Sequence, residues 1–224
     1  MESYRKDLEL EQQAHITLEK NLYPRLRYDK SEYAYCDWIT KKAEQHKDKD
    51  TTVFMKNGKR VAISEKSRFR DYGDVLIEII KNNKTFRINK KDGYGWGLNS
   101  EADYIVYCIM GSNRVVILDN TNGMLVKKMH EVIRRNNRAL AKTLNKYKDK
   151  YEKIKDDISF DSCNVTLTGS PNRKDNGSVY NTYSICFPIS FFKNENLLVY
   201  EGDIRGGLIE LNARQDKKQK SGLF

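Results

Sequence analysis

The stretch VAISEKSRFRDYGDVLIEI, residues 61–79, carries charges where an apolar strand would bury none. Glu65 and Lys66 stand in its middle, and Glu78 closes the next apolar run. A charge inside a buried strand is paired, binds a metal, or marks an exposed edge. Side chains alternate along a strand, so Ala62, Ser64 and Lys66 share one face while Val61, Ile63 and Glu65 share the other. Lys66 therefore has small neighbours and room around its ammonium. Asp37, in the middle of YAYCDWIT (33–40), is its natural partner if the two strands approach. An ordinary ion pair at a sheet end is the competing explanation. Nucleophilic Ser or Cys chemistry has little support: neither residue lies in an evident elbow motif, and the histidines are only His15, His46 and His130.

The elements that must position these groups follow from periodicity and turn residues. Residues 2–23 read as a helix, with Tyr4, Leu8, Leu18 and Leu22 near one face and Pro24 closing the pattern. Glu11 and His15 lie on or beside that face; they either reach solvent at its margin, or a helix packed over a sheet lowers a carboxylate into a site. YAYCDWIT reads as a strand, and KKAEQHKDKDTT after it as a mobile loop or a lengthened hairpin tip. Asn57-Gly58 joins two apolar strands as a hairpin, and DVLIEII, ADYIVYCIM and RVVILDN continue the series. The glycine-rich DGYGWGLN (92–99) reads as a loop carrying Trp96; its glycines are spaced two apart, which is not a phosphate-binding GxGxxG. Residues 123–148 read as one amphipathic helix, with Leu125, Met129, Val132, Ile133, Leu140, Leu144 and Tyr147 on one side and a cationic face opposite. Short strands follow from residue 159, and 212–224 reads as a disordered tail.

Composition narrows the partners. The chain has 224 residues, enough for one good core with extensions, and 41 Lys and Arg against 31 Asp and Glu, a net charge of +10. Such a balance favours polyanions, nucleic acid first. Cys36, Cys108, Cys163 and Cys186 form no CxxC pair, which suits a reducing cytosol and gives a structural zinc site little support. The first residues lack the apolar core of a signal peptide, and no apolar run is long enough for a membrane span. The expectation is a soluble, cytoplasmic protein with no membrane partner.

A preceding acid at Asp37, a hairpin, and a strand ending in x-x-Lys at Lys66 resemble the core of the PD-(D/E)XK nuclease superfamily. VAISEKSRFRDYGDVLIEI followed by GYGWGLNSEADYIVY is similar to the order of strands in small phage and bacterial members. The resemblance covers roughly residues 5–120. It implies an α/β fold, a central mixed β-sheet flanked by helices, with a nuclease-like core at 1–120 and a basic helix and β-rich extension of the same domain at 121–211. It departs at the acid-x-Lys triplet, where Ser64 holds the acidic position. Either Glu65 reaches the site through a bulge or the carboxylate has moved to Glu78, the preferred repair; if neither holds, the site is catalytically dead.

What the resemblance implies chemically is a Mg²⁺- or Mn²⁺-dependent endonuclease acting on DNA, in a bacterial or phage-infected cell. Hard cations bind carboxylates, carbonyls and water, so Asp37 with Glu78 or Glu65, joined by Glu11, would hold the metal. The metal acidifies a bound water, and Lys66 orients it and stabilises the phosphate oxygens. Arg68 and Arg70 on the Lys66 strand, Trp96 as a stacking ring, and Arg134, Arg135 and Arg138 on the basic helix are the expected nucleic-acid contacts. Cutting both strands of a duplex would call for two sites, for which a homodimer is one arrangement. The alternatives are a nuclease-like fold that binds nucleic acid without cutting it, and an interaction or anti-defence protein that grips an acidic protein surface.

Overall fold

In the strand Tyr104–Ile109 all six side chains are buried, which requires a layer of structure on each side of it. The computed structural model, which describes residues 2–40, 45, 47–80, 93–147, 150, 152–173, 177 and 179–211, supplies both layers. Tyr104, Val106 and Cys108 face a core shared with helix α1 (Glu2–Asn21). Ile105, Tyr107 and Ile109 face a larger core closed by a second sheet and by helices α2 (Met124–Arg135), α3 (Asn137–Lys146) and α4 (Ile189–Asn194).

The fold is α/β with a mixed sheet. Its strands are β1 (Leu26–Tyr28), β2 (Ser31–Trp38), β3 (Thr51–Met55), β4 (Arg60–Arg68), β5 (Asp74–Ile80), β6 (Tyr104–Ile109), β7 (Arg114–Asp119), β8 (Ile154–Ser159), β9 (Asn164–Arg173), β10 (Val179–Pro188), β11 (Leu198–Asp203) and β12 (Ile209–Leu211). Eight of them form one sheet in the order β11-β7-β6-β4-β3-β2-β1-β12, and four form another in the order β5-β10-β9-β8. β4 runs parallel to β6 and β1 parallel to β12; the other pairings are antiparallel. The larger sheet curls in a barrel-like way around α1. Residues beyond 120 supply both edge strands of the large sheet and three of the four strands of the small one.

Three expectations need correction. The single central sheet is two sheets, because β5 pairs with β10 and faces β4 across the core instead of lying beside it. The expected 123–148 helix breaks at Asn136, which is buried, accepts the Asp161 N–H at 3.0 Å through Oδ1 and donates to the Val132 carbonyl at 2.9 Å. Leu125, Met129, Val132, Ile133, Leu140 and Leu144 are buried, as their spacing predicts. On α1 the buried stripe is Ala14, Leu18 and Leu22, whereas Leu8 is exposed; the side chain of Tyr4 lies outside the described residues. The expected tail at 212–224 lies outside them too.

The glycine-rich segment has a steric cause. Gly95 donates its N–H to the Ile79 carbonyl at 3.1 Å, and a Cβ added there would collide with the backbone of Glu78. One added at Gly97 would collide with the Ile77 side chain. We expect Gly95→Ala to destabilise the fold by about 3 kcal/mol, at the upper end for an overpacked site, because backbone cannot rotate aside. Urea denaturation of the variant checks this.

Candidate active site

The Asn57-Gly58 hairpin builds the site. Gly58 has φ +82°, which glycine adopts without strain, and the strands pair with Thr51 opposite Ile63. Just beyond that pair the Asp50 N–H donates to the Ile63 carbonyl at 2.9 Å, and Asp48 lies in the preceding turn at φ +59°, so both acids stand near Ser64 and Lys66 of β4. The side chains meet accordingly. Lys66 Nζ donates to Asp48 Oδ1 at 2.6 Å and lies 3.5 Å from Asp50 Oδ2. Ser64 Oγ donates to Asp48 Oδ2 at 2.8 Å, and the Glu65 N–H donates to Asp50 Oδ2 at 2.7 Å. Lys66 also stands over the Trp96 ring, 5.5 Å from its centroid.

Burial pulls against charge here. It would depress the Lys66 ammonium, but Asp48 and Asp50 outweigh it and hold its pKa above the usual lysine range; Glu78 adds to this. Burial raises the carboxyl pKa of Asp50; Lys66 opposes that, and the nearby negative charges of Asp48 and Glu65 reinforce it. Lys66 and Asp50 open onto a cavity of about 330 Å³ towards the end of β4, walled also by Glu11 of α1, Trp38, Glu65 and Trp96.

Glu65 points to the other face of β4 and is held there. It accepts from His15 Nδ1 at 3.0 Å, from Thr51 Oγ1 at 2.5 Å and from the Tyr23 hydroxyl. His15 stacks on Trp38 with ring centroids 4.2 Å apart, and its pKa is raised by the Glu65 hydrogen bond against the opposing effect of burial. His15 is thus buried rather than at a solvated margin.

The structure unites some expected residues and separates others. Lys66, Glu65 and Glu11 line the same cavity, and Glu78 is near enough for its charge to act on Lys66. Asp37 is not the partner of Lys66. It pairs with Thr52, which pairs with Ala62, so it stands four residues, about 13 Å, along the sheet from Lys66. It lines a separate cleft with Lys49 and Arg60. The acids that take its place, Asp48 and Asp50, lie in the run expected to be a mobile loop or a lengthened hairpin tip.

The expected phosphate contacts divide similarly. Arg68 is committed within the fold: Nη1 donates to Asp74 Oδ1 at 2.6 Å, Nη2 to the Asp74 carbonyl at 2.5 Å, and the guanidinium lies over Tyr72 and Tyr107. Trp96 is buried in the cavity wall, so its ring meets Lys66 and not an open surface. Arg135 is paired with Glu131 at 2.5 Å. Arg70, Arg134 and Arg138 are exposed.

A larger cleft of about 600 Å³ beside Tyr72, Asn164 and Cys186 has no such convergence of charge. Asp74 there is taken by Arg68, and Asp157 accepts from Thr166 at 2.7 Å. Among the described residues no helix is long and apolar enough to cross a membrane. Compared with family models, curated proteins and solved structures, the chain matches none.

Proposed function

We propose that the chain is a Mg²⁺-dependent endonuclease hydrolysing phosphodiester bonds in DNA, organised as in the PD-(D/E)XK superfamily but with Asp50 and Asp48 as its acids. One observation carries this: a lysine ammonium held between two carboxylates on the wall of a cavity that α1 closes. Lys66 supplies a compact positive charge to phosphate oxygens and can orient an attacking water.

The donor set suits a hard cation. Asp48 and Asp50 place two carboxylates beside one lysine, and burial, with the neighbouring charges of Asp48 and Glu65, raises the carboxyl pKa of Asp50. Among the described residues no three His, Cys, Asp or Glu side chains form a ready metal cage. Mg²⁺ needs none, since one or two carboxylates with waters and a substrate phosphate suffice. Asp48 and Asp50 would hold it, where it would acidify a water and neutralise phosphate charge. Glu65 is already occupied by three donors. The four free cysteines suit a reducing cytoplasm.

Incubation with supercoiled plasmid tests the proposal: nicked or linear product is expected with Mg²⁺ and none after chelation by EDTA. A second reading has its own observation, Ser64 at the triplet's acidic position with Glu65 tied away. It predicts plasmid that is bound, with affinity falling steeply in salt, and never cut.

A further inference from the structure

The outer face of β2, β3 and β4 carries a stack of side chains that no core contact explains. Tyr35 and Phe54 lie ring on ring, centroids 4.4 Å apart and planes within 9°. The Arg60 guanidinium sits 5.4 Å from the Phe54 centroid. Tyr35 pairs with Phe54 and Phe54 with Arg60, so the stack crosses three strands. A bulge in β2 creates it. Tyr33 pairs with Met55 and Tyr35 with Phe54, two steps on β2 against one on β3. That extra residue turns Tyr33 towards the α1 core and Tyr35 outward, where it is 52% exposed. Bulges that re-aim a side chain in this way gather near functional sites.

Beside the stack lies a cleft of about 600 Å³ lined by Trp38, Lys49, Phe54 and Arg60, with Asp37 and Asp103 among them. Trp38, itself 48% exposed, also lines the Lys66 cavity, so the two hollows meet at one indole. We infer that this face binds a single strand of DNA and leads it past Trp38 to Lys66, an inference that takes its destination from the nuclease reading above. Every base has a π-face that can extend a stack of rings, whereas a base inside a duplex is already stacked on its neighbours. Arg60 and Lys49 flank the rings as phosphate contacts, and the net charge of +10 favours a polyanion. Lys49 Nζ lies 3.9 Å from Glu101 Oε2. Asp103 accepts the Ala62 N–H at 2.8 Å; it and Asp37 present acceptors suited to base amino groups, not phosphates.

The test is fluorescence anisotropy in EDTA with a labelled mixed-sequence DNA oligonucleotide, single-stranded and annealed to its complement. The single strand should bind the tighter of the two. Tyr35→Ala should weaken single-strand binding about tenfold, the loss of one stacked base, and leave duplex binding unchanged; Tyr35→Trp should restore it. Thermal melts establish that the variants fold. Equal affinity for both forms, or a folded Tyr35→Ala that binds the single strand like the parent, overturns the inference. Asp50→Asn separates the two claims. If the parent cuts plasmid in Mg²⁺, Asp50→Asn does not, and Tyr35→Ala binds normally, the nuclease stands and the platform falls. If the oligonucleotide results hold and no preparation cuts, the platform stands and cleavage falls.

Discussion

If the nuclease proposal holds, Asp50→Asn should lower Mg²⁺-dependent nicking of supercoiled plasmid by about 100-fold or more, the scale of losing one charged group aimed at a reacting centre. Asparagine keeps a carbonyl oxygen for the Glu65 N–H that Asp50 accepts, so shape survives and charge does not. Lys66→Ala should be equally inactive but also less stable. It strands Asp48 and Asp50, whose side chains are 16% and 30% exposed, and an uncompensated buried charge costs about 3–5 kcal/mol. Partial solvation brings the expected loss towards about 2 kcal/mol. Melting curves separate the two effects, because Asp50→Asn, which removes one of two repelling acids, should melt near the parent. Nicking by Asp50→Asn at the parental rate would eliminate this cavity as the site of hydrolysis.

The strands, the hairpin and the buried faces of α2 and α3 were largely legible in the sequence, and of the α1 face Leu18 and Leu22, because alternation and 3.6-residue spacing are imposed by burial itself. Lys66 was legible for the same reason: an ammonium among small, β-forming neighbours has no place in a core. Its partner was not. Residues 41–52 show no periodicity, and a charged run with nothing to bury reads as solvent-facing. Asp48 and Asp50 are instead held just before the start of β3, by a turn at Asp48 (φ +59°) and by hydrogen bonds from Lys66, Ser64 and the Glu65 N–H. Counting outward from Asn57-Gly58 carries the hairpin only as far as Thr51 opposite Ile63, and the turn that brings Asp48 onto Lys66 has no periodicity to announce it. Asp37 attracted attention by sitting inside an aromatic strand, but a face shared by parity says nothing about distance along the strand. The second sheet was hidden for a different reason. DVLIEII alternates equally well beside β4 or across the core from it, and only pairing with β10, more than a hundred residues later, decides between them.

Glu65 is the group on which stability and site geometry meet, and Glu65→Gln should cost about 3 kcal/mol in urea or thermal unfolding. Its carboxylate takes hydrogen bonds from His15, Tyr23 and Thr51, and its side chain is 11% exposed. An amide accepts fewer of them, and its NH₂ would face donors. The pH dependence has a definite sign. His15 faces Glu65, the Trp38 ring and Thr51, with the charges of Glu19 and Asp50 farther off. These hold its folded pKa above the ordinary histidine value of 6.5, the Glu65 hydrogen bond being the largest cause. A raised pKa means that the folded state keeps a proton the unfolded chain releases. The His15 contribution is therefore complete below pH 6.5 and fades as pH rises through the folded value. Asp50, whose pKa is raised chiefly by burial, adds a penalty that grows as pH climbs from 3.8 through its own folded value, so it also lowers stability with rising pH from the acid end. The His15→Gln variant isolates the first effect: the difference between its melting temperature and the parent's should be widest in acid and shrink above pH 6.5. A difference that grows with pH would mean that His15 is neutral in the fold and that Glu65 carries its charge with hydroxyl partners alone.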